Sequence, residues 1–142
     1  MSDRWQRLRQ RWAVQGVVPA PPASREDLAA FEAAHHLVLP ADLRSYFGTV
    51  GGMDPRANLA GDPDGFAFWP LDQVEPATGN PGLFIIADYL NWSWAYAVTL
   101  QDTADTSAEV MLLGLATPQR VAKTFSDFVD LYLAGSRQLY PT

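Results

Sequence analysis

The chain has no cysteine. That absence removes disulfides, thiolate zinc sites and thiol nucleophiles together. No apolar run approaches the ~20 residues needed to span a bilayer. The first dozen residues carry arginines with no apolar stretch behind them, which is not the form of a secretory signal. Charged residues are scarce at 18%, whereas hydrophobic residues make up 48% of the 142 positions. This is the balance of a globular chain and not of a disordered one, and the length suits one domain with one core. A cytoplasmic protein with no membrane association is the expectation.

Positive charge is also short. The formal net charge is -6 and the sequence pI is near 4.6. General nucleic-acid binding needs a basic surface that releases phosphate counterions, so it is not expected here. An acidic field steers basic protein partners, although it also serves solubility alone. Arg4, Arg7, Arg9 and Arg11 crowd the first dozen positions against a single acid, Asp3, so the rest of the chain is more acidic than the total suggests.

Periodicity divides the chain into helices, then strands, then a helix. Trp5, Leu8 and Trp12 recur at helical spacing within Asp3 to Gln15, predicting an amphipathic helix docked through its tryptophans; a membrane-surface helix is the competing reading. Gly16 and the run Val17 to Pro22 form an extended, proline-rich connector. Residues 1–22 are therefore assigned to helix and connector, and residues 23–142 to the main domain. Ser24 is a natural N-cap with Asp27 three residues on, and Leu28, Phe31, His35 and Val38 follow at helical spacing. Leu39-Pro40 restarts the chain as a second helix with the stripe Leu43, Tyr46 and Phe47, which Gly51-Gly52 ends. Met53 to Gly65 is a long loop rich in proline, glycine and aspartate.

Phe66 to Trp69 then predicts a short strand, Pro70 to Val74 a turn or short helix, and Glu75 to Gly82 a loop. Leu83 to Ala87 and Ser93 to Leu100 predict two strands joined by the hairpin-length link Asp88 to Trp92. Glu109 to Gly114 predicts a further strand after the polar loop Gln101 to Ala108. A last helix starts from Thr124 with Asp127 at its third position, buries Phe125, Phe128, Val129 and Tyr132, and stops at Gly135. Short links between consecutive strands favour an antiparallel or mixed sheet with helices packed on one side, an α+β fold.

The stretch Ser24 to Gly52, S-R-E-D-L-A-A-F-E-A-A-H-H-L-V-L-P-A-D-L-R-S-Y-F-G-T-V-G-G, resembles the entry to the SUKH superfamily. Phe68-Trp69-Pro70-Leu71, the hairpin Phe84 to Leu100 and the capped Thr124-Phe125-Ser126-Asp127-Phe128 are similar to later parts of the same pattern, in the same order. The chain departs from many relatives at Val50, where they have Asn, at His36, where they have a helix-ending glycine, and at Tyr89-Leu90-Asn91-Trp92, where they often have a Gly-rich turn. Histidine tolerates the left-handed conformation better than most residues, so the turn at His36 is expected to survive. The superfamily includes fungal cell-wall assembly regulators and many bacterial immunity proteins. The resemblance implies a SUKH-like single domain that binds protein without catalysis, as an immunity protein blocking a toxin domain, often a nuclease or deaminase. An intracellular regulatory or scaffold module is the other implied role.

Catalytic motifs are missing. Adjacent His35 and His36 point roughly 100° apart on a helix and cannot share a metal as an i, i+4 pair does; His35, on the apolar stripe, is expected in a core or interface. Gly48-Thr49-Val50-Gly51-Gly52 lacks a phosphate-loop lysine, and no nucleophile elbow occurs. Asp62-Pro63-Asp64-Gly65 begins like a calcium loop, but Gln73 stands at the twelfth position and proline interrupts it, so a solvated turn is expected. Asn91-Trp92-Ser93 is formally a glycosylation sequon, which without a secretion signal is expected to carry no meaning. No catalysis, metal or cofactor is expected. The candidates that remain are a partner-binding set: Asp54, Asp62, Asp64, Trp69, Asp72, Asp88 and Trp92, with Glu75 nearby. Aromatic anchors among carboxylates suit a basic protein partner. A polar loop over core tryptophans is the alternative.

Overall fold

The computed structural model of the chain describes residues 3–102 and 108–142. Helix α1 (Asp3–Gln15) has the expected bounds and buries Trp5, Leu8 and Trp12. Each such side chain, taken fully out of water, contributes about 2 to 3 kcal/mol. It lies against the last helix, α4 (Phe125–Ala134). Arg4 forks onto Asp130, and Trp12 Nε1 donates to Tyr132 Oη at 3.1 Å. The competing membrane-surface role therefore has no apolar stripe left to use: the stripe is inside the domain.

The connector runs extended and pairs through Pro19 with Met53. Helix α2 (Arg25–His35) starts with both halves of a capping box, Ser24 Oγ accepting from the Asp27 N–H and Asp27 Oδ2 accepting from the Ser24 N–H. It ends on His36 at φ 53°, the left-handed position usually given to glycine. His35 is half-buried against the rings of Phe31 and Phe84. Helix α3 (Ala41–Thr49) follows, with Pro40 just outside its first turn as the N-cap. Asp42 accepts from both the N–H and the hydroxyl of Ser126 and so ties α3 to the start of α4. Thr124 caps α4 through the Asp127 N–H, and Gly135 closes it at φ 66°.

Among the described residues the sheet is antiparallel and has six strands, β1 (Phe66–Phe68), β2 (Glu75–Pro76), β3 (Leu83–Tyr89), β4 (Trp94–Thr99), β5 (Val110–Leu113) and β6 (Gln119–Ala122). Their order is β1-β3-β4-β5-β6, with β2 beside β3. β1 and β2 take successive stretches of one edge of β3. Two strands went unforeseen. β2 is a two-residue pairing inside what reads as loop, and β6 is a mostly polar edge segment with no alternation to betray it. The expected polar loop from Gln101 falls partly outside the described residues.

Among the described residues, helices α1 to α4 pack on one face of the sheet, over Phe84, Ile86, Tyr96, Val98, Val110 and Leu112. The opposite face carries a second cluster, Ala77, Ile85, Ala95, Ala97 and Leu113, edged by Trp69, Leu83 and Met111, to which no described helical residue belongs. A β-bulge between Ile85 and Ala87 decides what β3 shows on that face. Ile86 and Ala87 both enter the core, and the alternation then resumes one residue out of step. Asp88 consequently stands opposite Ala95, on the helix-free side.

Candidate functional site

Three backbone features converge at one end of the helix-free face. The first is the glycine pair after α3. Gly52 sits at φ 88°, and a Cβ there would lie 2.7 Å from the Trp69 carbonyl oxygen. Only glycine lets the chain pass so close behind Trp69. The second is the Met53 to Gly65 loop, which is tied down at its start and middle. Asn58 bonds both backbone groups of Val18, accepting at 3.0 Å and donating at 2.6 Å, and Met53 N–H donates to the Phe68 carbonyl at 2.9 Å.

The third feature is the β3–β4 turn. Leu90, Asn91 and Trp92 stand at φ 49°, 50° and 72°. These are three consecutive left-handed residues, none of them glycine. Such backbone costs about 1 to 2 kcal/mol per residue for most side chains and less for Asn. The turn is held by Ser93, whose N–H donates to Tyr89 O at 2.9 Å, and by Leu90 N–H donating to Gly65 O at 2.9 Å.

Between these features lies a groove of about 310 Å³ lined by Leu59, Trp69, Glu75, Asp88, Asn91 and Trp92, among others. Asp88 organises it. The carboxylate is 7% exposed; Oδ2 accepts from Trp69 Nε1 at 2.7 Å, and Oδ1 takes a longer contact of 3.4 Å from the Trp92 N–H. The indoles of Trp69 and Trp92 meet edge to face, 4.9 Å between centroids. Trp69 is thereby fixed, while Trp92 remains 54% exposed and Leu59, across the groove, 85% exposed. An indole pinned on one side and open on the other is a ready anchor for a partner surface.

Of the seven candidates read from sequence, the structure brings Trp69, Asp88 and Trp92 together at this groove. Asp54 and Asp72 neighbour lining residues without lining it themselves, and Asp54 Oδ1 is taken by the Arg56 N–H. Asp64 is exposed on another part of the loop.

Asp62 requires correction. It is 4% exposed and not part of a solvated turn. Its Oδ1 accepts from the N–H groups of Asp64 and Phe66 at 2.9 and 3.0 Å, and its Oδ2 accepts from Tyr132 Oη. Tyr132 is pushed well above the ordinary tyrosine pKa, first by burial and then by this hydrogen bond to Asp62. Asp62 therefore anchors the loop to α4 and is withdrawn from the surface. Sequence reasoning missed Leu59, Asn58 and Asn91. Only Leu59 carried a signal, as a large apolar residue in an otherwise polar loop.

A family model described as the SMI1 / KNR4 family (SUKH-1) matches residues 22–131, well over half of the chain. The chain belongs to the SUKH superfamily. No curated protein matches it. SUKH proteins are generally non-catalytic. The groove of this SUKH chain is aromatic, with one carboxylate already engaged by neutral donors. No three His, Asp or Glu side chains among the described residues gather as a metal site would require. No helix of the described residues is long and apolar enough to cross a membrane.

Proposed function

We propose that this SUKH domain is a cytoplasmic, non-catalytic immunity protein that neutralises a basic bacterial toxin domain, a nuclease or deaminase, by covering its active site. The observation that carries the binding reading is Trp92, more than half exposed on a strained but tethered turn. Backbone strain of this kind collects at functional positions, and an exposed indole backed by a second one has the make-up of an interface anchor. The net charge of -6 supports a basic partner with salt-sensitive association. The toxin-immunity role itself rests on what SUKH membership implies.

The test is capture with the tagged protein from cell and secreted fractions of its source, with Trp92→Ala as the control. Immunity predicts a one-to-one complex with a basic toxin domain, weakened at high salt. Trp92→Ala should reduce affinity about 30-fold, the equivalent of about 2 kcal/mol for a buried aromatic anchor. Capture of envelope-synthesis proteins alone, by wild type and not by the variant, would replace immunity with the regulatory role of cell-wall-regulator relatives. Capture unaffected by Trp92→Ala would move the interface elsewhere.

A further inference from the structure

We propose that the groove receives an arginine side chain from the protein partner, its guanidinium lying on the Trp92 indole and hydrogen-bonded to the free side of the Asp88 carboxylate. This deepens the protein-binding reading and rests on it.

The argument begins with an imbalance of charge. Asp88 is nine-tenths buried, yet its two contacts are an indole N–H and a backbone N–H, both neutral. It forms no ion pair among the described residues, and no lining residue of the groove is Lys, Arg or His. A carboxylate offers about four acceptor positions, and Oδ1 is engaged here only at 3.4 Å. In a poorly hydrated setting its field is weakly screened, so the groove holds an acceptor suited to a cation that the chain itself does not provide. Glu75, exposed on the same rim, adds a second negative charge.

The shape of the site selects among cations. The exposed indole of Trp92 stands over the same groove. A guanidinium is planar, weakly hydrated and stacks on indoles while still donating sideways to a carboxylate. An ammonium is compact, strongly hydrated and gains less from such a surface. The bulge at Ile86 and the left-handed turn serve one arrangement. The bulge sets Asp88 on the helix-free side of the sheet, and the turn sets Trp92 beside it.

The experiment is a titration of the isotope-labelled full chain with N-acetyl-arginine amide, following the indole N–H signals of Trp69 and Trp92 by NMR. N-acetyl-lysine amide and the neutral isostere N-acetyl-citrulline amide serve as comparisons. The expected result is saturable shifts of both indole signals with arginine, at least fivefold weaker binding of lysine, and no response to citrulline. Asp88→Asn, which keeps an acceptor for Trp69, should weaken arginine binding at least tenfold. Should that variant not fold, Glu75→Gln and Trp92→Ala are each expected to weaken it about threefold. An equal response to citrulline, no movement of either indole signal, or arginine binding indifferent to these variants would overturn the proposal. A partner complex that depends on Trp92 but survives replacement of the partner's interfacial arginines would overturn the arginine anchor and leave the protein-binding reading standing. Arginine binding with no protein partner recovered would overturn that reading while supporting the chemistry of the groove.

Discussion

The same residue type does opposite work at Asp62 and Asp64, and the difference is burial. Asp62 is withdrawn from water and accepts three hydrogen bonds, one of them from Tyr132 in α4. Asp64, two residues on, is exposed. Asp62→Ala should therefore destabilise the domain by about 2 to 4 kcal/mol, because the buried Phe66 N–H and Tyr132 hydroxyl lose their acceptor together with the part-buried Asp64 N–H. Asp64→Ala should change stability by less than about 0.5 kcal/mol. Urea unfolding of the two variants checks this; similar midpoints would mean that the loop is not anchored through Asp62. The sequence displayed both aspartates between Gly61 and Gly65 without a sign of which one points inward. That depends on Tyr132, seventy residues away in the chain.

At the scale of elements, helix ends were legible and strand ends less so. Ser24, Asp27, Thr124 and Gly135 act where their chemistry requires, because a cap is a local interaction among residues three or four apart. β2 and β6 depend on a neighbour strand brought in from elsewhere, and nothing within either segment announces it. The β3–β4 turn lies between these cases. Its departure from a Gly-rich turn was visible, but not that the chain would keep left-handed backbone there with Leu, Asn and Trp. Asn91→Gly should relieve part of this strain and stabilise the domain by about 0.5 kcal/mol, since glycine adopts φ 50° freely. A denaturant midpoint that falls instead would show that Asn91 contributes more through its side chain than its backbone suffers.

For the whole molecule, three phenols lie inside one core. Tyr46 and Tyr132 are pushed upward chiefly by burial, as is Tyr96, which also donates to the Leu139 carbonyl. A group whose folded-state pKa exceeds its unfolded value gives stability that is complete below the unfolded value and is lost as pH rises beyond it. Stability should therefore hold up to about pH 10, the ordinary tyrosine value, and fall steeply above it as the unfolded chain alone ionises. Urea midpoints between pH 8 and 12, with phenolate absorbance followed in parallel, test this. Phenolate appearing while the fold persists would mean that the tyrosines are reached by water. The N-terminal helix belongs to this scale as well. Its two tryptophans are almost wholly buried, so α1 completes the core that the rest of the chain begins.

Composition, periodicity and capping by themselves determined that this is an α+β domain and where its capped helices start. Those properties follow from interactions local in sequence, or from averages over it. The helical spacing read through Val38 overran α2, which stops at His35. Tertiary structure alone decided which acids and aromatics meet. A one-residue bulge reverses the facing of Asp88, and a turn in an uncommon backbone conformation presents Trp92. A tyrosine from a distant helix draws Asp62 inward. Each of these is a long-range balance of burial, hydrogen bonding and strain, which no window along the chain contains.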